Sequence, residues 1–248
     1  KVPLPHIPDL EGPEPWACVP VAFTVKAHYS MVIDNVSDFS HAYLHRKYKP
    51  FDDAKLTKLE STDDAVFVSY DTKVGGGKIT GLFIDRSSVD TNKMDLGYQY
   101  PYQWSNTDDA IKHWLMVLPI DAKTTRTFYL FHFKAFKVPF LPMRLPRRLM
   151  KPLLKAANRL HVRPLLEQDA MACEGEQYGW DHYWDQPSAE INPAVHAFQT
   201  LTIKKWEQHL AREAERRELH GVQAGRGVGR WGRRKSHERR GQKVAGCA

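Results

Sequence analysis

Apolar positions alternate with polar ones through much of the chain's middle. AVFVSYDTKV (65–74), KITGLFIDR (78–86), KHWLMVLPI (112–120) and TFYLFHFKAF (127–136) are rich in β-branched and aromatic residues and bounded by turn formers, which predicts strands. An earlier strand-like run extends from Trp16 to Val32. The GGG at 75–77 predicts a hairpin between the first two middle strands, and Asp121–Thr125 a turn between the last two. After Phe136 the pattern changes. Prolines at 139, 142, 146 and 152 break the text, and a helical stretch follows from about Lys151 to Gln177, interrupted at Pro164. A loop then leads to a last helix over Ala194–Leu219. Strands first and helices after them predict an α+β fold, with helices on one face of an antiparallel sheet.

Composition marks off the ends. Residues 1–15 carry five prolines and are expected to form an extended linker. Residues 221–248 hold eight Lys/Arg and one Glu, with almost no aliphatic side chains, and are expected to be a disordered tail. Subtracting that tail leaves 28 basic and 28 acidic residues, so the +7 net charge is a property of the tail alone. The globular part, 16–220, is balanced and gives no reason to expect nucleic acid as its partner. Hydrophobic residues make up 42%, enough for a large core, and no apolar run is long enough for a membrane span. Three scattered cysteines, Cys18, Cys173 and Cys247, with no visible signal peptide, predict reduced thiols in a cytoplasmic protein.

The chemistry concentrates in DNVSDFSHAYLH, residues 34–45. Asn35 and Asp38 suit the start of a helix carrying His41, His45 and Tyr48. On a helix, His41 and His45 fall one turn apart and can share one metal ion. A bare H-x-x-x-H pair is weak, because two unrelated histidines give the same spacing. Asp38 strengthens it, lying one turn before His41 where a carboxylate can orient an imidazole. A zinc protease is excluded: the Glu that must follow the first His is Ala42 here. Two His and one carboxylate with open positions form the facial triad of non-haem Fe(II) oxygenases. The third ligand must come from elsewhere. Asp169 stands among Leu165, Leu166, Ala170 and Met171, an odd place for a carboxylate unless paired or ligated. Glu167, Glu174 and Glu176 remain rivals on the same stretch.

N-x-x-D-x-x-H, a nearby second His and a distant Asp on a late helix resemble the catalytic domain of Rieske non-haem iron oxygenases, of the aromatic-ring-hydroxylating type. The residues concerned are Asn35, Asp38, His41, His45 and Asp169, and the resemblance extends over about residues 1–210. It implies a helix-grip sheet with a long helix over an apolar pocket. It implies that His41, His45 and Asp169 ligate Fe(II), and that Asn35 and Asp38 belong to the catalytic machinery. Asp38 would hydrogen-bond His41 and bridge electrons from a Rieske [2Fe–2S] cluster. Gln177 would line the pocket. The reaction implied is O₂ activation to hydroxylate, dihydroxylate or demethylate an apolar aromatic or polycyclic substrate. Electrons would come from NAD(P)H through a reductase or ferredoxin, and the assembly would be a homotrimer.

Two departures stand out. Three residues separate the histidines where the family usually has four. The C-x-H and C-x-x-H pairs of a Rieske domain are absent, so a chain opening on Lys1 and a Pro-rich run is expected to be cut just after such a domain. The competing reading is a non-enzymatic module of the same fold that holds a lipid or other apolar ligand.

Overall fold

The computed structural model describes residues 6–13, 16–45, 51–74, 92–134, 147–183 and 190–219. Seven described strands form one antiparallel sheet: β1 (Ala17–Val25), β2 (Phe51–Ser61), β3 (Ala65–Val74), β4 (Asn92–Gln99), β5 (Tyr102–Thr107), β6 (Ile111–Asp121) and β7 (Thr124–Phe133). Their order is β1-β7-β6-β5-β4-β3-β2, so the last strand in sequence pairs with the first. The helices are a one-turn α1 (Pro8–Glu11), α2 (Tyr29–Ser37), α3 (Arg147–Ala157), α4 (Arg163–Tyr183) and α5 (Pro193–Leu219). A 3-10 helix, Phe39–His45, follows α2, and a π-helical turn, Asn158–Val162, joins α3 to α4. The fold is α+β and of the helix-grip kind.

Prolines and charges fit the topology. Pro20 interrupts β1 at no cost to an inner ladder, because β1 is an edge strand. Pro119 lies past Met116, where the pairing of β6 with β5 ends. At the other edge, β2 (FDDAKLTKLES) is mostly exposed and charged, which protects a free edge from pairing with other chains. That same polarity hides it from an alternation argument. Pro164 is the second residue of α4, where its missing N–H is tolerated. The Arg163 N–H reaches back five residues to the Asn158 carbonyl, making the π turn that absorbs the expected break.

Other expectations are corrected. The early strand ends at Val25, and Tyr29–Ser37 is helix, capped by the His28 ring, which accepts from the Ser30 N–H. The β-branched run Val32–Ile33 reads as strand but forms the buried face of α2. Residues 6–13 are not extended linker: Ile7 is buried, and Asp9 pairs with Lys112 at 3.0 Å. The expected strand 78–86, the GGG turn and the tail from 221 lie outside the described residues.

Packing divides the helix-facing side of the sheet. Ala194, Phe198 and Leu201 of α5 pack with Tyr29 and Ile33 on Val66, Val68, Tyr70, Leu96 and Tyr98 of β3 and β4. Leu166 and Cys173 of α4 pack with Met31 and Val32 on Val21, Val25, Leu115 and Tyr129 of β1, β6 and β7. Met150 and Leu154 of α3 cover Ala17 and Phe133. From Gln208 on, the chain forms a separate unit, in which Arg216 pairs with Glu213 at 2.9 Å.

Candidate metal centre

The motif helix is not one helix. The backbone leaves α-helical geometry at Asp38, the C-terminal cap of α2, and re-enters as the 3-10 turn that carries both histidines. Phe39 anchors this turn, its ring 4.6 Å from Phe51 and 4.9 Å from Tyr70 between centroids. Phe51 in turn meets His41 edge-on at 5.4 Å. Position i+4 therefore works here through tertiary packing and not through α-helical spacing.

α4 completes the cluster. Asp169 Oδ1 lies 3.5 Å from His41 Nε2 and 3.1 Å from His45 Nε2. The ligand atoms of His41, His45 and Asp169 all lie within 4.8 Å of one another, the one such group among the described residues. Donors about 2.1 Å from a shared ion sit roughly 3–4 Å apart, so these separations fit one small metal ion. Asp169 Oδ1 is buried and receives no well-directed hydrogen bond, and neither does His41 Nδ1. An orphaned buried carboxylate oxygen is costly in a finished core; a metal ion would satisfy it.

The electrostatics split the histidines. Burial pulls the His41 pKa below its ordinary value, outweighing the upward pull of Asp169 and Asp38, with His45 adding to the fall. Burial also acts downward on His45, but contact with Asp169 and the hydrogen bond to Gln168 outweigh it and the net shift is upward. The partner of the His45 ring is Gln168, whose Oε1 lies 3.1 Å from Nδ1. With Nδ1–H donating to an amide oxygen, Nε2 is left with its lone pair toward Asp169 and the ion position. Nothing marks Gln168 beforehand beyond its place beside Asp169.

The other expected residues fall as follows. The Asp38 carboxylate is engaged by other groups, its Oδ1 accepting from the Ser40 N–H at 2.7 Å and from Asn192 Nδ2 at 3.0 Å, while its backbone and charge still act on His41. Asn35 lends its backbone carbonyl to the Asp38 N–H at the end of α2. Gln177 does not face the cluster. Its Oε1 accepts from the His28 N–H and its Nε2 donates to Asp181, so it straps α4 to the turn after β1. Glu167 pairs with Arg163, and Glu174 accepts from the Lys26 N–H. Glu176 stays apart too, its pKa raised to about 6 by burial and by Glu190. His182 is exposed and bonds the Tyr178 carbonyl. Of the aromatic residues on the strands and the 3-10 turn, Tyr70, Tyr129 and Phe133 are buried against the helices, while Tyr43 is 84% exposed. Phe67 lies in register with Gly97, Trp104 and Trp114 on the opposite face. Gly97 is required there, since a Cβ would sit 2.3 Å from the Trp104 indole.

The fold has solved counterparts. A dicamba monooxygenase with dicamba bound superposes with a TM-score of 0.58 over 84% of this chain and 63% of that one, at 13% identity. A quaternary ammonium Rieske monooxygenase gives 0.53 over 79% and 49%, at 14% identity. The sequence comparisons define the class, the catalytic domain of Rieske-type oxygenases. Within it, the chain belongs to the vanillate O-demethylase oxygenase C-terminal domain family, whose profile matches residues 25–213. A curated relative, the 4beta-methylsterol monooxygenase of Methylococcus capsulatus (strain Bath), is 42% identical over 207 residues. That match covers 84% of this chain and 56% of the relative, so the chain spans just over half the relative's length.

Proposed function

We propose that this domain is the oxygenase part of a Rieske-type monooxygenase acting on an apolar polycyclic substrate of the sterol class, at or near a methyl group. The observation that carries the reading is the convergence of His41, His45 and Asp169 on one point with Asp169 Oδ1 left unpartnered. A bound Fe(II) would supply O₂ activation there. The relative's substrate name supports the sterol class. An apolar-ligand carrier of the same fold has no use for a buried His-His-Asp cluster, and the cluster favours the enzyme.

The chain's own residues do the rest. Gln168 fixes the tautomer of His45. Phe39 and Phe51 hold the 3-10 turn so that both Nε2 atoms face α4. Tyr129, Leu115 and Val21 supply an apolar surface beside Asp169 that excludes water. Asp38 and Asn192, hydrogen-bonded across 154 residues of sequence, tie the motif to the start of α5 and give the electron route a fixed carboxylate. The electrons would come from a [2Fe–2S] Rieske domain outside this chain, fed by NAD(P)H through a reductase or ferredoxin. A homotrimer that places the cluster of one subunit beside the metal of the next, working in the cytoplasm, completes the proposal. No helix among the described residues is long and apolar enough to cross a membrane.

The test is isotopic. The complete oxygenase with its electron donors, given a 4-methylsterol under ¹⁸O₂, is expected to place one labelled oxygen in the product. Asp169→Ala should abolish that label. Product carrying label at wild-type rate in the Asp169→Ala variant would refute the assignment.

A further inference from the structure

Between the two main apolar clusters of the sheet lies β5, and its helix-facing side is polar. The cross-strand register puts Gln103 beside Tyr98 and Leu115, Ser105 beside Leu96 and His113, and Thr107 beside Met94 and Ile111. All three β5 residues are buried. Both neighbouring strands carry core aliphatics and aromatics at these positions, so three consecutive inward polar residues depart from a plain core. Two of them join His113 of β6 in a chain. Ser105 Oγ lies 2.7 Å from His113 Nδ1, and His113 Nε2 lies 3.0 Å from Gln103 Oε1. Gln103 Nε2 donates to the Trp104 carbonyl at 3.0 Å.

Valence fixes the direction of this chain. Gln103 Oε1 only accepts, so His113 carries its proton on Nε2 and accepts at Nδ1 from the Ser105 hydroxyl. The imidazole stays neutral in this surrounding, its pKa pulled down to about 4 by burial and by His132. Two capacities then remain without a partner among the described residues: the lone pairs of Ser105 Oγ and the second hydrogen of Gln103 Nε2. One acceptor and one donor side by side are the complement of a single hydroxyl group.

The position relative to the metal centre is also defined. The Tyr129 ring stands 5.9 Å from the His113 ring, edge to face, and Phe131 is 5.5 Å away. Tyr129 packs in one cluster with Leu166 and Cys173, which stand on either side of Asp169 in α4. Asp169, Tyr129, His113 and Ser105 thus follow one another across the helix-facing side, with an aromatic residue between the metal position and the polar chain.

We infer that Ser105 and Gln103, held by His113, form a hydroxyl-recognising anchor that orients an apolar polycyclic alcohol with its reacting carbon toward the His41–His45–Asp169 centre. This rests on the oxygenase reading and narrows its substrate class to molecules with one alcohol on an otherwise apolar skeleton, which is what a sterol is. Ser105 and Gln103 are specificity-determining contacts, and His113 is a positioning residue that acts through them.

Binding to the metal-free chain tests the anchor without turnover. A 4-methylsterol and its 3-deoxy counterpart are titrated by intrinsic fluorescence against wild type, Ser105→Ala and Gln103→Leu, with thermal melts in parallel. The wild type is expected to favour the alcohol by about ten- to a hundredfold, the range of one to two good buried hydrogen bonds. Ser105→Ala should bring that ratio close to one while affinity for the 3-deoxy compound stays near wild type, with a modest fall in melting temperature because His113 Nδ1 loses its donor. Equal affinity of wild type for both compounds, no binding of either, or an unchanged ratio in Ser105→Ala overturns the proposal. Loss of affinity for both compounds together, with a lowered melting temperature, would make the polar chain structural and overturns it too. Fe(II) loading measured on the same samples reports on the oxygenase reading separately, since the anchor lies outside the metal ligands.

Discussion

The two sides of the helix-facing surface are built by different rules. Under α5, the sheet carries a dry aromatic core. Tyr98 stacks on Phe198 with centroids 5.2 Å apart and planes 17° apart, and its hydroxyl accepts from Thr202 Oγ1 at 3.1 Å. Under α4, a buried aspartate and a buried histidine ring nitrogen go without a partner. The first side holds the fold. The second leaves polar atoms aimed at a common point, and that residual need is what marks it as a site.

Changes on the two sides should therefore fail in different ways. The largest effect belongs to the centre. Asp169→Ala or His41→Ala should lower turnover of the reconstituted enzyme by at least a thousandfold, with thermal unfolding shifted little, because each removes a group with a buried atom that the apo fold does not satisfy. A variant that melts early and retains metal would reverse the comparison. Phe198→Ala should do the opposite. Removing a fully buried ring costs about 3–5 kcal/mol, seen in denaturant titration, while the folded fraction keeps its metal affinity.

Gln168→Ala is the smaller probe of the site. Losing the partner of a ligating imidazole typically weakens metal affinity about 10- to 100-fold. An unaltered affinity would show that the His45 ring is oriented by packing alone.

The smallest effects concern pH. Burial, with Glu176 and Glu190 adding to it, pushes the Asp34 carboxyl up from 3.8 to about 8 against the hydrogen bond from Gln199. A folded-state pKa above the unfolded one gives stability that is full below about pH 4 and lost as pH rises toward 8. His113 acts the other way. Its pKa falls from 6.5 to about 4 in the fold, so its contribution is present above pH 6.5 and lost as pH falls to about 4. Asp34→Asn should flatten the decline of stability between about pH 4 and pH 8, read from chemical denaturation at a series of pH values. An unchanged slope would mean that the Asp34 carboxyl ionises freely in the folded protein.

Legibility in the sequence followed the same division. The site was readable where chemistry is dense: His41, His45 and Asp169 stand out by spacing and by a carboxylate among apolar neighbours, and the structure brings the three together. Their outer partners were not readable. Gln168, which meets the His45 ring, is an ordinary helical glutamine in the text, and Asp38 turned to Ser40 and Asn192 because the backbone breaks at the end of α2. Strands β3, β6 and β7 were evident from their β-branched and aromatic alternation. β2 and β5 were not, the first because an edge strand is solvated and charged, the second because its inward residues are polar. The first turn of α2 reads as strand because it continues the apolar run that ends at Val32, and burial of Tyr29, Met31 and Val32 decides its conformation.

The most direct test of the central claim is iron content after anaerobic Fe(II) loading of the purified chain, wild type beside Asp169→Ala. The account predicts about one iron per wild-type chain and next to none in the variant, with both proteins folded. Equal iron in the two, or no stoichiometric iron in the folded wild type, would contradict it.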